Sequence, residues 1–171
     1  MRETILETKR LRLRQLAEQD AAFILELVNE PAFIQNIGDK GVRTLDDARD
    51  YILSGPVASY AKHGFGLYCV ERKETDEPIG ICGLLKRDAL DDVDIGFAFL
   101  EKFRGRGFAY ESAAEVMDYG RTALGLKRIV AITSPDNEAS IRVLQKIGLR
   151  FDKMLRIPGS NEETRLFVPR D

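Results

Sequence analysis

The sequence predicts a mixed α/β fold, a sheet covered by helices, and three observations predict it. The chain opens on a segment with two-residue alternation, passes through short apolar runs cut by charged turns, and then carries two segments with apolar residues every three or four positions. In order along the chain, Leu11, Leu13 and Leu16 interleave with Arg12 and Arg14, the signature of a half-buried strand over 10–16. Asp20 is placed to cap a helix bearing Phe23, Ile24, Leu27 and Val28 that ends near Pro31. Thr44 and Asp47 form a capping box for a second helix carrying Leu45, Ala48 and Ile52, closed or broken at Gly55 and Pro56. Three strands follow over 67–70, 79–85 and 93–100, separated by the charged turns 74–77 and 87–92. The run 108–124 sets Ala113, Val116, Met117, Gly120, Ala123 and Leu124 on one helical stripe. A strand over 128–133, a helix over 138–147 stopped by Gly148, and two strands over 149–157 and 165–168 complete the order.

With 171 residues and 44% hydrophobic side chains, the chain is expected to form one domain over 1–171 with a sizeable core. Twenty-six basic against 28 acidic residues, a net charge of -2, supply no global field toward nucleic acid or anionic lipid, so neither is expected as a partner. Two cysteines, Cys69 and Cys82, and one histidine, His63, are too few for a closed zinc site, and no metal is expected. Both cysteines fall on strand-like segments and read as buried thiols, and His63 as a loop residue. The first ten residues are charged and lack an apolar signal core, and the apolar run 97–100 is far too short to cross a membrane. A cytoplasmic protein is the expectation.

Chemistry concentrates between Asp94 and Ala109, where a strand runs into Arg104-Gly105-Arg106-Gly107 and then into a helix. Glycine permits close backbone approach, and a helix start offers unpaired N–H groups at the positive end of its dipole, which makes an anion cradle suited to phosphate. Alone, such a loop is most often a turn. The dinucleotide fingerprint fails because Tyr110 stands where its third glycine belongs, and no GxxxxGK[ST] occurs. Further on, Asn137 is placed to cap a helix with Glu138 in its first turn and Ser140 one turn inside. The acidic run Asp88, Asp91, Asp92 and Asp94 reads as a solvated turn.

Together these residues resemble a family. Arg104-x-x-Gly107-x-Ala109 preceded by Ile95-Gly96-Phe97, and Asn137-x-x-Ser140-x-x-Val143-Leu144-x-Lys146-x-Gly148-Leu149, are similar to the GNAT superfamily of acetyl-CoA-dependent N-acyltransferases. The opening Thr8-x-Arg10-Leu11-x-Leu13-Arg14 followed by Asp20 resembles its RimJ/RimL-type branch, so the likeness covers about 8–168. The resemblance implies a mostly antiparallel sheet of about seven strands flanked by about four helices, splayed where the cofactor enters. It implies that Phe97, Ala98 and Phe99 pair with the pantetheine arm through their backbone. Backbone N–H groups of Arg104, Gly105, Arg106, Gly107, Phe108 and Ala109 would hold the pyrophosphate, and Asn137 would touch the cofactor arm.

The family reaction is direct acetyl transfer in a ternary complex from acetyl-CoA to a primary amine, at a protein or peptide N-terminus or on a small molecule. Many members protonate the leaving sulfur with a tyrosine where this chain has Leu144. The RimL-like branch implies Ser140 as general acid and cofactor contact, and Asp94 is the preferred general base, although a water chain also serves that purpose. Ala98 and Glu101 stand where the family often has Trp and Pro, which leaves the acceptor's identity open. The alternatives are an acyl-CoA sensor without turnover and, less favoured, a nucleotide-binding protein. The expected assembly is a monomer or homodimer.

Overall fold

A computed structural model describes residues 3–170 of the chain, and in it eight strands form one sheet in the order β1-β2-β3-β4-β5-β6-β8-β7. The strands are β1 (Thr4–Glu7), β2 (Leu11–Gln15), β3 (Leu67–Arg72), β4 (Pro78–Leu85), β5 (Val93–Phe99), β6 (Ile129–Thr133), β7 (Leu149–Arg156) and β8 (Glu163–Pro169). Every neighbouring pair is antiparallel except β5 and β6. Six α-helices accompany them: α1 (Ala21–Val28), α2 (Pro31–Asn36), α3 (Leu45–Ile52), α4 (Ala58–His63), α5 (Phe108–Thr122) and α6 (Glu138–Lys146). The mixed α/β architecture expected from the sequence is the one observed.

Three elements exceed the expectation. β1 has only two apolar residues and exists because β2 pairs with it, Leu6 opposite Leu13, a long-range contact that local pattern does not reveal. α1 ends at Val28, near Pro31 as expected, but Pro31 does more than follow a helix end. It opens α2 at the first turn, where a missing N–H costs nothing. Gly55 and Pro56 do not break α3 but lie in a π-helical turn, Leu53–Val57, that leads into α4. His63 is the last residue of α4 and stacks on Phe65. Ala123, expected on the buried stripe of α5, is exposed, while Ser112 is fully buried and satisfies its hydroxyl on the Phe108 carbonyl, 2.9 Å away.

A polar knot fixes the first strands. Arg14 is only 5% exposed, and its two terminal nitrogens donate to the Asp20 carboxylate at 2.9 Å each while its Nε donates to Glu71 at 2.8 Å. The Asp20 side chain makes no bond to the α1 backbone, contrary to the cap expected of it. It accepts from the Ala17 N–H and from Arg14 instead, so this residue serves a buried ion pair rather than a helix end. Tyr60 on α4 ties the same region down, accepting from the Leu16 N–H and donating to the Leu67 carbonyl.

Close approach of backbone sets the centre of the sheet. A Cβ added to Gly83 in β4 would lie 2.0 Å from the Gly66 carbonyl oxygen and 2.8 Å from Leu67 Cα. Both obstacles are main chain, so only strand movement relieves them. Gly83→Ala is therefore expected to cost about 3 kcal/mol, the upper end for overpacking. Chemical denaturation measures it, and an unchanged midpoint would show that β3 and β4 separate freely there. No helix among the described residues is long and apolar enough to cross a membrane.

Candidate active site

The site is built where β5 and β6 part. They pair in parallel only at Val93 with Ile129 and Asp94 with Val130, so from Ile95 onward the β6-facing edge of β5 has no strand beside it. A cleft of about 380 Å³ opens there, and Asp94, Phe97, Ala98, Asn137, Ser140 and Leu144 all line it. Residues 43 positions apart in sequence, Asp94 and Asn137, thus reach one cavity because β5 ends its pairing early and α6 starts just past β6.

Asp94 is 1% exposed, and the Arg87 Nε donates to both its oxygens, at 3.1 and 3.2 Å. Burial pushes its carboxyl up to about 6, and Arg87 pulls against that rise. It is set apart from the rest of the acidic run: Asp92 pairs with Arg128 at 3.1 Å on the outside of the turn. Asn137 caps α6, its side-chain oxygen accepting from the Ser140 N–H at 3.3 Å. The Ser140 hydroxyl makes no hydrogen bond among the described residues. A buried leucine, Leu144, stands one turn beyond it, so the only hydroxyl that α6 offers to the cleft is that of Ser140.

Beyond β5 the chain turns through Gly105 and Gly107, at φ of 77° and 83°, into α5. Gly107 is the N-cap of this 15-residue helix and provides no side chain to bond its first N–H groups. Arg104 departs from what the sequence suggested. Its N–H donates to the Glu101 carbonyl at 3.1 Å, and its guanidinium donates to the Phe99 carbonyl and to Glu30, so it builds the base of the loop rather than offering a donor from it. The Arg106 guanidinium lies over the Phe103 ring, 5.6 Å from its centre.

Arg10 escaped the sequence reading of this site. It reaches α5 from the start of β2, where its Nε donates to Glu111 at 2.7 Å, its guanidinium covers the Phe108 ring at 4.3 Å, and its Nη2 would touch a Cβ on Gly107 at 3.4 Å. A guanidinium therefore stands beside the glycine loop from a strand about a hundred residues earlier. The two thiols lie apart from this chemistry. Cys69 and Cys82 are both fully buried in β3 and β4, and burial pushes the Cys82 thiol up to about 12, far from a nucleophile's range.

Residues 10–150 match the acetyltransferase (GNAT) domain family. The chain belongs to the GNAT acetyltransferases. A curated relative from Bacillus subtilis, the uncharacterized N-acetyltransferase YoaA, is 35% identical over 156 residues, 89% of this GNAT chain and 86% of the relative. A solved acetyltransferase from Agrobacterium tumefaciens superposes with a TM-score of 0.81 at 26% identity, covering 100% of this chain and 98% of that one. The fold is also that of RimL, an L7/L12 ribosomal α-N-protein acetyltransferase solved with coenzyme A, at a TM-score of 0.82, 18% identity and 97% coverage of each chain. This GNAT protein is an acetyl-transferring enzyme, as the family and the named relatives establish.

Proposed function

We propose that this enzyme transfers the acetyl group of acetyl-CoA to a primary amine, on a protein N-terminus or a small molecule, at the cleft between β5 and β6. The observation that carries the reading is the convergence of a buried carboxylate and an unbonded hydroxyl on the cleft beside the open edge of β5. The residues present suit the cofactor: the edge that runs through Phe97, Ala98 and Phe99 has backbone groups to share with an extended amide chain, the Phe99 carbonyl excepted because Arg104 holds it, and Gly105 to Ala109 lead into an uncapped helix start suited to pyrophosphate. Bound there, acetyl-CoA supplies an activated thioester.

The chain's own residues do the rest. Asp94, held near neutrality by its burial, takes the proton from the acceptor's ammonium or amine. Ser140 delivers a proton on the sulfur side of the cleft, and Asn137 orients the cofactor arm while capping α6. Arg10 adds charge at the glycine loop.

The test pairs binding with turnover. Acetyl-CoA at about 100 times its dissociation constant should stabilise the fold by roughly 2.7 kcal/mol, read as a rise in Tm, and Gly107→Glu should abolish that rise. An amine should then release CoA above background hydrolysis, and Ser140→Ala should slow that release by about 10²-fold at saturating substrates. Undiminished release in Ser140→Ala would remove Ser140 from the mechanism. Leu144 in place of a tyrosine favours one rival, a sensor of acyl-CoA; it would show the Tm rise and no amine-dependent release.

A further inference from the structure

We infer that the acceptor amine of this enzyme carries an oxyanion, a carboxylate or a phosphate, which Lys40 and the open edge of Arg87 hold beside Asp94. The inference rests on the acetyl-transfer reading and narrows its acceptor. Lys40, in the segment between α2 and α3, and Arg87, just past β4, both line the cleft together with Asp94. Arg87 spends its Nε on Asp94, and its four remaining N–H donors on Nη1 and Nη2 find no partner among the described residues. Lys40 forms no ion pair or hydrogen bond among the described residues.

The neighbouring cations are satisfied in ways these two are not. Lys86 donates to the Arg87 and Leu90 carbonyls at 3.0 and 2.6 Å, Arg43 pairs with Asp39 at 2.6 Å, and Arg128 pairs with Asp92. Lys40 is an exposed residue at the rim of the cleft, and desolvation, then the charge of Arg87, holds its ammonium below the ordinary lysine range. Two cations therefore disfavour one another's charge on the cleft that also holds the buried Asp94 carboxylate. An added anion relieves the repulsion and matches the planar fork of a guanidinium, which receives carboxylate or phosphate through paired hydrogen bonds.

Geometry also limits the size of the acceptor. The amine must reach Asp94, and Asp94 sits on one edge of the same rigid guanidinium whose other edge receives the anion. Amine and anion then belong to one molecule and are separated by few bonds, as in an amino acid or an aminoalkyl phosphate. Across the cleft, Glu162 and Glu163 favour the opposite chemistry, a cationic amine such as a polyamine. Glu163 already faces Arg156 at 3.9 Å, whereas Lys40 and the outer edge of Arg87 line the cleft without a partner among the described residues, so the anion is assigned to their side.

Twin acceptors decide the matter. CoA release is measured with each standard L-amino acid against its own carboxamide, with 2-aminoethyl phosphate against ethanolamine, and with spermidine and a C-terminally amidated peptide. The expected result is an anionic acceptor preferred by roughly tenfold or more in kcat/KM over its neutral twin, with Lys40→Gln reducing that ratio about tenfold. A carboxamide's amine is less basic, so more of it is free at a given pH, which biases the comparison against this outcome. Amino acid and aminoalkyl phosphate arms separate the two sources of oxyanion. Equal rates for the twins, a best rate with spermidine or the amidated peptide, or an unchanged ratio in Lys40→Gln would each overturn the inference and leave acetyl transfer standing. If none of these amines released CoA above background hydrolysis, in protein whose Tm still rises with acetyl-CoA, the acetyl-transfer reading itself would fall.

Discussion

Arg14→Met is expected to destabilise the protein by about 3–5 kcal/mol, because it removes the cation from a buried pair and leaves the anion behind. Arg14 and Asp20 are each 5% exposed and share two hydrogen bonds. Glu71 loses the Arg14 Nε but keeps Arg12, which donates to it at 3.2 Å, so the cost falls mainly on Asp20. Denaturant titration should show a lower midpoint with an unchanged slope. Replacing Arg14, Asp20 and Glu71 together by apolar residues of similar volume should recover most of the loss, since a buried ion pair and a well-packed apolar cluster are close in net stability. A loss under about 1 kcal/mol for Arg14→Met alone would show that Asp20 reaches water once its partner is gone.

Asp94→Asn is expected to reduce turnover by about 10²–10⁴-fold, the range for removing a general base. The pH dependence separates this role from a positional one. In the wild type the rate should rise as pH passes about 6 and the carboxyl gives up its proton, and this limb should vanish in Asp94→Asn, leaving only the titration of the acceptor amine. Stability moves the other way. The native carboxyl holds its proton more tightly than the unfolded one, whose pKa is about 3.9, so between that value and about 6 the contribution of Asp94 to stability falls as pH rises, by about 1.4 kcal/mol per pH unit. Asp94→Asn should lack this loss, so the difference in stability between the two proteins follows it, while Glu111, Asp39 and Asp47, held below the usual carboxylate range, titrate alike in both. A variant with wild-type turnover and the wild-type acid limb would remove Asp94 from the chemistry.

The strands and helices with strong internal pattern were legible in the sequence. α3, with its Thr44 and Asp47 cap, and α5 and α6 with their apolar stripes fold within a few residues of where periodicity puts them. What escaped depends on partners distant in the chain. β1 exists through β2, the Asp20 carboxylate is claimed by Arg14 rather than by a helix end, and the Arg104 side chain is drawn to Glu30 and to the carbonyl of Phe99. The same holds at the site. The motifs identified the loop and the helix start, but no spacing rule brings Arg10 to Gly107, or Lys40 and Arg87 to Asp94, because each contact crosses between elements.

The early parting of β5 and β6 has a mechanical side. Two residue pairs are all that join the five-stranded section, β1 to β5, to the three-stranded section, β6, β8 and β7, through the hydrogen-bond ladder. A molecule lying along the bare edge of β5 extends the ladder where the protein's own backbone stops, and so changes how the two sections open relative to each other. Amide hydrogens of β5 and β6, the strands that flank the gap, should then exchange more slowly with ligand in the cleft than without it, while those of β3 and β4, already paired on both sides, should change little. The gap proposed to admit the cofactor is also the seam with the fewest paired residues in this sheet, and a molecule that enters it would close it.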